Sequence, residues 1–497
     1  MDSQLTNIDN IRQVISKKID PNRKSMLGQY FTPSVIAEYM ASLFIIDNLT
    51  DFSILDPGAG IGSLSIALLQ RLASKEITKS IKWIGYEIDQ DFIKPLEQNL
   101  LEIQNSLLQS GHQFYPKIFV EDFIKATVTN IINNEQELFD LIVINPPYKK
   151  IQSNSDHRFF LRSVGIETVN LYSAFLALSM DLLTPNGQIV AIVPRSFCNG
   201  PYFKSFREKL LKNTVIMHIH SFEQRDKAFI DDDVLQENVI IHLQKKGQKG
   251  NVKISFSSGK NFEKQKNMIF PYEMIVKPGD PDLTIHIPTD TKPQSKALSD
   301  KYKCSLSDIG VTVSTGPIVD FRVKEFLIDN PTPDAIPLLY PNHFGNLIID
   351  WPRLGIKKAN SIRFDNNLRN QFYKKGYYVV TRRFSSKEEK RRIYANVVDP
   401  AIFSQDFLGF ENHLNVFHIK REGLEQELAY GLGTYLNSTF LDVQFRQFSG
   451  HTQVNVNDFK LLRFPSLQII KSIGRWALTQ GEFTQESIDR EVNKYVL

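Results

Sequence analysis

From residue 53 to about residue 244, short β-branched and aliphatic runs alternate with longer amphipathic stretches, a change of period that predicts strand–helix units around a parallel sheet. Strands are expected over Ser53–Leu55, Ile81–Tyr86, Ile118–Val120, Leu141–Ile144, Gln188–Val193, Val215–His220 and Val239–Leu243. Helical spacing over Leu171–Leu183 is followed by Pro185-Asn186-Gly187, which should stop the helix in a turn before the next strand. The fold expected here is α/β, a doubly wound, seven-stranded Rossmann-like domain. After Lys245 the texture changes: KKGQKGNVK, PGDPDL and PTDTKPQSK are rich in Lys, Pro, Gly and Asp and break regular elements. We place one domain over residues 1–290 and a second over 291–497, the boundary falling in this altered region. Beyond about Leu306 the pattern is irregular and aromatic-rich with few long helical periods, so a mixed α+β domain is expected.

Length supports the division, because single cores stop growing near roughly 250–300 residues and the chain has 497. No apolar run approaches the roughly 20 residues of a membrane span. The opening MDSQLTNIDN lacks a basic-then-apolar leader pattern, so a cytoplasmic location is expected. The two cysteines, Cys198 and Cys304, are far apart and support neither a disulfide framework nor a cysteine-rich zinc site. The net charge of +4 decides little, but its distribution is informative. Lys374, Lys375, Arg382, Arg383, Lys387, Lys390, Arg391 and Arg392 are opposed only by Glu388 and Glu389, which reads as a local cationic surface.

Candidate chemistry begins at Asp56-Pro57-Gly58-Ala59-Gly60-Ile61-Gly62, directly after the first expected strand. Glycines there allow a tight turn and close approach of the backbone to a ligand, a feature shared by several nucleotide sites. Glu87 ends the second strand, where a carboxylate can accept both hydroxyls of a ribose, and Asp122 ends the third, where a carboxylate or neighbouring backbone can meet an adenine amino group. Three acidic strand ends describe a mononucleoside site at the carboxyl edge of the sheet. The glycine loop holds no Lys or Arg to meet a pyrophosphate. A sulfonium cation and an amino group tolerate Asp56 far better, so S-adenosyl-L-methionine is the expected cofactor.

Asn145-Pro146-Pro147-Tyr148 follows the fourth strand. Two prolines impose a rigid extended turn and withdraw two backbone donors, leaving carbonyls as acceptors beside the Asn145 side-chain oxygen. Two fixed acceptors suit a planar NH2 group, whose lone pair is delocalised until both N–H bonds are engaged. Tyr148 adds a face for stacking on a base.

At these residues the chain resembles the gamma class of N6-adenine DNA methyltransferases, the TaqI-type enzymes of restriction-modification systems. Gly28-Gln29-Tyr30-Phe31-Thr32-Pro33 is similar to that class's N-terminal cofactor motif, which implies that Tyr30 and Thr32 hold the methionine end of the cofactor. The resemblance also implies that Asp56, Gly58 and Gly60 line the cofactor. It places Glu87 with Ile88 at the ribose, Asp122 with Phe123 at the adenine moiety, and Asn145 beside the methyl donor. Asp56 departs from the Glu that the class also uses. Phe229 is similar to the second aromatic that sandwiches a flipped base against Tyr148, with Phe222 as the alternative. The second half resembles recognition domains of BsuBI/PstI-like members over 313–322, 382–388, 411–415 and 449–455. That likeness implies contact with double-stranded DNA, with Arg382, Arg383, Lys387, His451, Gln453 and Asn455 as candidates. It further implies host protection alongside a separately encoded restriction endonuclease, with no metal required. Alternatives left open are a fused nuclease built on Pro333-Asp334 and Glu388-Glu389-Lys390, methylation of adenine in RNA, and methylation of a glutamine amide.

Overall fold

Leu141, Ile142, Val143 and Ile144 are all buried, with no polar face among them. The reason is that their strand lies mid-sheet with helices on both sides. Leu141 and Val143 enter one apolar cluster, Ile142 and Ile144 another, which is the period-2 alternation of a strand covered on both faces. The structure is a computed structural model that describes residues 2–18, 31–46, 50–74, 79–222, 237–258, 261–288, 303–385, 389–449 and 453–496. The chain divides into two units, Met1–Pro288 and Thr289–Leu497.

The first unit runs α1 (Asp2–Lys18), α2 (Ser34–Ser42), β1 (Asp51–Asp56), α3 (Ser63–Ala73), β2 (Ser80–Tyr86), α4 (Gln90–Gln109), β3 (Gln113–Phe119), α5 (Phe123–Asn133) and β4 (Phe139–Ile144). It continues with α6 (Asp156–Ser163), α7 (Leu171–Asp181), β5 (Leu183–Pro194), α8 (Lys204–Asn213), β6 (Thr214–Phe222), β7 (Asn238–Lys245), β8 (Asn251–Ser258) and β9 (Asn261–Pro271). Among the described residues its sheet has nine strands in the order β3-β2-β1-β4-β5-β7-β6-β8-β9. β1 to β5 are mutually parallel, whereas β7 runs antiparallel to both β5 and β6.

Two sequence expectations need correction. The sheet has nine strands, not seven, because the Lys-rich stretch after Lys245 forms β8 and β9. Val252, Ile254, Met268 and Phe270 are buried while Lys253, Asn267 and Ile269 face outward, so the lysines mark an exposed sheet face and not a linker. Pro185-Asn186-Gly187 is not the expected turn between helix and strand, since α7 ends at Asp181 and β5 begins at Leu183. The three residues lie inside β5, where Asn186 takes φ 66° and the pairing with β4 shifts register between Phe139 and Leu141.

In the second unit an antiparallel sheet orders Thr312–Thr315, Leu414–His418, Tyr378–Arg382 and Ala395–Val398, beside a sheet of five short strands. Helices Gln426–Leu436, Thr439–Phe448, Val456–Leu461, Leu467–Leu478 and Gln485–Val496 follow, more helix than the sequence pattern suggested. Gly431 and Gly474 explain part of that gap. A Cβ on Gly431 would stand 1.9 Å from the Ile470 carbonyl oxygen, and one on Gly474 would stand 1.8 Å from that of Glu427. These glycines let two helices touch backbone to backbone, and they interrupt the apolar period that marks a helix in sequence.

The face of β6 toward α2 buries a polar network. The Ser255 hydroxyl lies 2.7 Å from His218 Nε2 and 2.7 Å from His220 Nδ1, and Tyr39 Oη is 3.0 Å from the same hydroxyl. His242 Nε2 meets Gln188 Oε1 at 2.9 Å. Burial pushes His218 and His220 down to about 3 and His242 to about 4. The unfolded chain takes up these protons below its ordinary histidine pKa of about 6.5 and the folded chain does not. Their stabilisation is therefore present above about 6.5 and is lost as pH falls toward 3 to 4, at up to about 1.4 kcal/mol per pH unit for each histidine. We expect the urea midpoint to drop between pH 7.5 and 5, and to drop less steeply in His218→Gln. Equal slopes for the two proteins would show that the network does not carry the effect.

Candidate active site

β1 and β2 lie side by side in parallel, so the loops leaving their carboxyl ends meet at one rim. Glu87 joins them: its Oε2 accepts the Gly60 amide at 2.8 Å and its Oε1 accepts the Asp89 amide at 2.7 Å. Gly60 has φ +55°, the left-handed region that glycine tolerates, and a Cβ there would stand 3.6 Å from the Phe31 ring. Below the loop, Trp83 Nε1 donates to Ser65 Oγ at 2.9 Å, and that hydroxyl donates to Asp56 Oδ2 at 2.6 Å. Burial pushes the Asp56 carboxyl up to about 7, against the hydrogen bonds from Ser65 and the Gly58 amide and helped by the nearby Glu87. Glu87 is also raised, mainly by burial, with its backbone donors opposing.

At the third strand end Asp122 caps α5, its Oδ1 accepting the Lys125 amide at 3.1 Å while Oδ2 meets His157 Nε2 at 2.7 Å. Burial works to raise Asp122, but the His157 hydrogen bond and the backbone donors outweigh it and hold the carboxyl below its usual range. At the end of β4 the Asn145 carboxamide donates from Nδ2 to Thr32 Oγ1 at 3.0 Å, which turns Oδ1 away from Thr32. Among the described residues no hydrogen bond reaches the carbonyls of Pro146 and Pro147. Tyr148 Oη donates to the Ile192 carbonyl at 3.1 Å, and its ring meets Tyr172 edge-on at 6.4 Å.

One cavity gathers these strand ends. Pro57, Gly58, Gly60, Glu87, Ile88, Asp122, Phe123, Asn145 and Pro147 all line it. Asp56 and Thr32 are buried just behind, and Pro146 and Tyr148 stand beside the wall without lining it. Phe222 is corrected: it is buried at the end of β6 against His220 and Phe262, so it offers no face to a base. Tyr30, Phe229, Lys387 and His451 lie outside the described residues. The sequence reading missed Phe31, Phe92, Phe175, Lys149 and His157 on the wall. Phe31 sits inside a motif already singled out, whereas His157 carries no local signal because its partner Asp122 is 35 residues away.

In the second unit, the stretches around residues 383, 412 and 453 share one edge. The Arg383 amide donates to the His413 carbonyl at 2.9 Å, Arg383 Nη1 donates to the Asn412 carbonyl at 2.7 Å, and Phe384 bridges to Gln453. Asn455 begins a helix, where its amide donates to Asp458 Oδ2 at 2.7 Å. The cationic run is only partly an open surface: Lys374, Lys375 and Lys390 are exposed, but its arginines are tied to their own unit. Arg392 is buried, Arg391 donates to the Asn437 carbonyl at 2.7 Å, and Arg382 pairs with Glu389 at 2.6 Å over the Tyr394 ring. Among the described residues no helix is long and apolar enough to cross a membrane.

The Eco57I restriction-modification methylase family matches residues 61–229, from the glycine loop through the Asn145 motif. Type II methyltransferase M.BsuBI of Bacillus subtilis is 45% identical, over 99% of this chain and 98% of that protein. The chain belongs to the type II restriction-modification methyltransferases. Type II methyltransferase M.PstI of Providencia stuartii is 40% identical over 98% of this chain and 96% of its own. The structure of the Type IIL restriction-modification enzyme MmeI in complex with DNA shares the fold, with a TM-score of 0.55 at 14% identity over 100% of this chain and 74% of that one.

The rim makes a prediction of its own. Gly60→Ala should lower the unfolding free energy by about 1 kcal/mol or more, because alanine is strained at positive φ. Gly250→Ala, with an ordinary φ and open space, should change it little. Denaturant unfolding of both variants checks this, and equal stability would remove the strain argument.

Proposed function

We propose that the protein is a gamma-class DNA methyltransferase that moves a methyl group from S-adenosyl-L-methionine to the N6 amino group of adenine in duplex DNA. The observation that carries this reading is the end of β4. There the Asn145 carboxamide is oriented by Thr32 beside the unengaged Pro146 carbonyl, on the rim of a cavity floored by acidic strand ends.

The residues present fit the cofactor. Glu87, engaged through one donor per oxygen, keeps lone pairs for ribose hydroxyls, and Phe31, Phe123 and Phe175 supply apolar wall for a purine. Asp56 and Glu87 favour a ligand with a positive end. Gly60 leaves open the space beside Phe31 that a side chain would enter. When bound, S-adenosyl-L-methionine supplies a methyl group on a sulfonium centre, open to direct displacement.

The chain's own part is to make a poor nucleophile better. Asn145 Oδ1 and the Pro146 carbonyl accept the two N–H bonds of the target amine, favour its tetrahedral form and offset the positive charge developing on nitrogen. The Tyr148 ring, tethered through its hydroxyl, offers a face to the extruded base; such stacking is worth roughly 1–3 kcal/mol. That offsets part of the few kcal/mol that flipping costs. The second unit would read the sequence around the target, and a separately encoded restriction endonuclease would be its counterpart.

Asn145→Ala should cut methyl transfer to unmethylated plasmid, followed with tritiated cofactor, by about 10²-fold or more, while calorimetry shows cofactor affinity little changed. Full transfer by that variant would sink the assigned role, and a preference for RNA over duplex in competition would redirect the substrate. Cofactor affinity should also fall with pH. The carboxylate forms accept hydroxyls and attract the cation, and Asp56 titrates near 7 in the free protein. Binding should therefore be fully present above about 7 and weaken below it, by up to about tenfold per pH unit for one linked group. Calorimetry at pH 6 and 8 with identical dissociation constants would refute the linkage.

A further inference from the structure

We propose that His413 is a base-reading, specificity-determining residue of the second unit, held for that task by the buried carboxylate of Glu411; the proposal rests on the DNA reading above. Residues 411–414 form a tight turn closed by the Leu414 amide on the Glu411 carbonyl at 3.0 Å. The Glu411 side chain is 0% exposed, yet both its oxygens are given to the single residue His413. Oε1 lies 2.5 Å from Nδ1, and Oε2 accepts the His413 amide at 2.9 Å. Burying a carboxylate is costly unless it is paired and hydrogen-bonded. Here the outlay fixes a ring that is itself 46% exposed. A side chain needed only to fill space or stay solvated would have no use for such a hold.

The geometry also sets the chemistry of the free edge. Nδ1 donates to Glu411, so Nε2 faces away from the carboxylate and has no hydrogen-bond partner among the described residues. Arg383 clamps the turn, its guanidinium on the Asn412 carbonyl at 2.7 Å and its amide on the His413 carbonyl at 2.9 Å. The Phe384 ring centre stands 5.3 Å from the imidazole, is 45% exposed, and bridges to Gln453. An oriented nitrogen beside an exposed aromatic ring suits a base edge. Phosphate binding needs charge but no such orientation, and sequence is read by fixed donors and acceptors on base edges. As a neutral ring His413 accepts from the amino group of adenine or cytosine; as a charged ring it donates to guanine.

The test compares wild type and His413→Ala on randomised duplex DNA, sequencing the methylated products. Expected is an unchanged target base with one position of the recognised sequence relaxed, the rate ratio between cognate and singly substituted duplexes falling about tenfold or more at that position. A folded His413→Ala protein that keeps full discrimination everywhere overturns the proposal, whatever stability it has lost. Should that variant fail to fold, His413→Asn is read by the same ratio. Wild-type protein that methylates no duplex overturns the DNA reading and this proposal with it, whereas wild-type activity with an unrelaxed variant overturns this proposal alone.

Discussion

The candidate site depends on one carboxylate tying two loops together. Glu87 accepts an amide from the loop after β1 and another from the loop after β2, so the distance between those strand ends is set by a side chain as well as by the sheet. A buried carboxylate keeps its charge only if donors are aimed at it, and backbone amides in tight turns are donors already fixed in direction. The chain Trp83–Ser65–Asp56 does the same one layer down, linking β2, α3 and the end of β1. Both arrangements sit where the strand order turns from β2-β1 to β4-β5, the point at which loops on a doubly wound sheet part and leave a crevice. The fold supplies the opening and the carboxylates give it a rigid edge.

That rigidity has an electrostatic cost. Burial raises both Asp56 and Glu87, and nearby charge adds to it, Glu87 raising Asp56 and Asp89 raising Glu87. Asp122, at the next strand end, is held the other way by His157 and the amides of its helix. Three acids on one rim therefore face a ligand in different states of readiness. One acid is held below its usual range beside two that are raised above theirs. On the proposed reading the ribose hydroxyls and the sulfonium end of the cofactor would favour the charged forms of the raised pair.

The parts of this arrangement that were legible in the sequence are those fixed by local chemistry. Asp56 to Gly62 had to be a turn after a strand, and Asn145-Pro146-Pro147 had to end one, because glycine and proline restrict the backbone wherever they occur. Glu87 and Asp122 followed from their places at strand ends. What escaped was set by long-range packing. His157 matters through a carboxylate 35 residues away, and Phe175 sits on a helix whose apolar period reads simply as core. Phe222, the alternative for the second stacking aromatic, failed for a related reason, since packing against His220 and Phe262 draws it inward. The strands β8 and β9 were hidden because the exposed Lys253, Lys264 and Lys266 stand among their buried positions, and lysines so spaced resemble a linker in sequence.

The second unit shows why a run of charge is a poor guide to a binding face. Arg382, Arg391 and Arg392 are spent inside their own unit, on Glu389, on the Asn437 carbonyl, and on Ser385 within a buried pocket. A guanidinium with five donors is well suited to tie irregular backbone together, and short strands leave many carbonyls needing partners. Among the described residues where the distant stretches meet, a tethered imidazole and the ring of Phe384 are exposed. Neither contributes much to net charge, so neither stands out in composition. If affinity for a polyanion comes from scattered lysines while discrimination comes from a few oriented groups, then the second kind of residue is found by asking which exposed side chain has been fixed in place at the expense of a buried charge. By that criterion the edge around Glu411 and His413, and not the basic run that precedes it, is where sequence discrimination should reside.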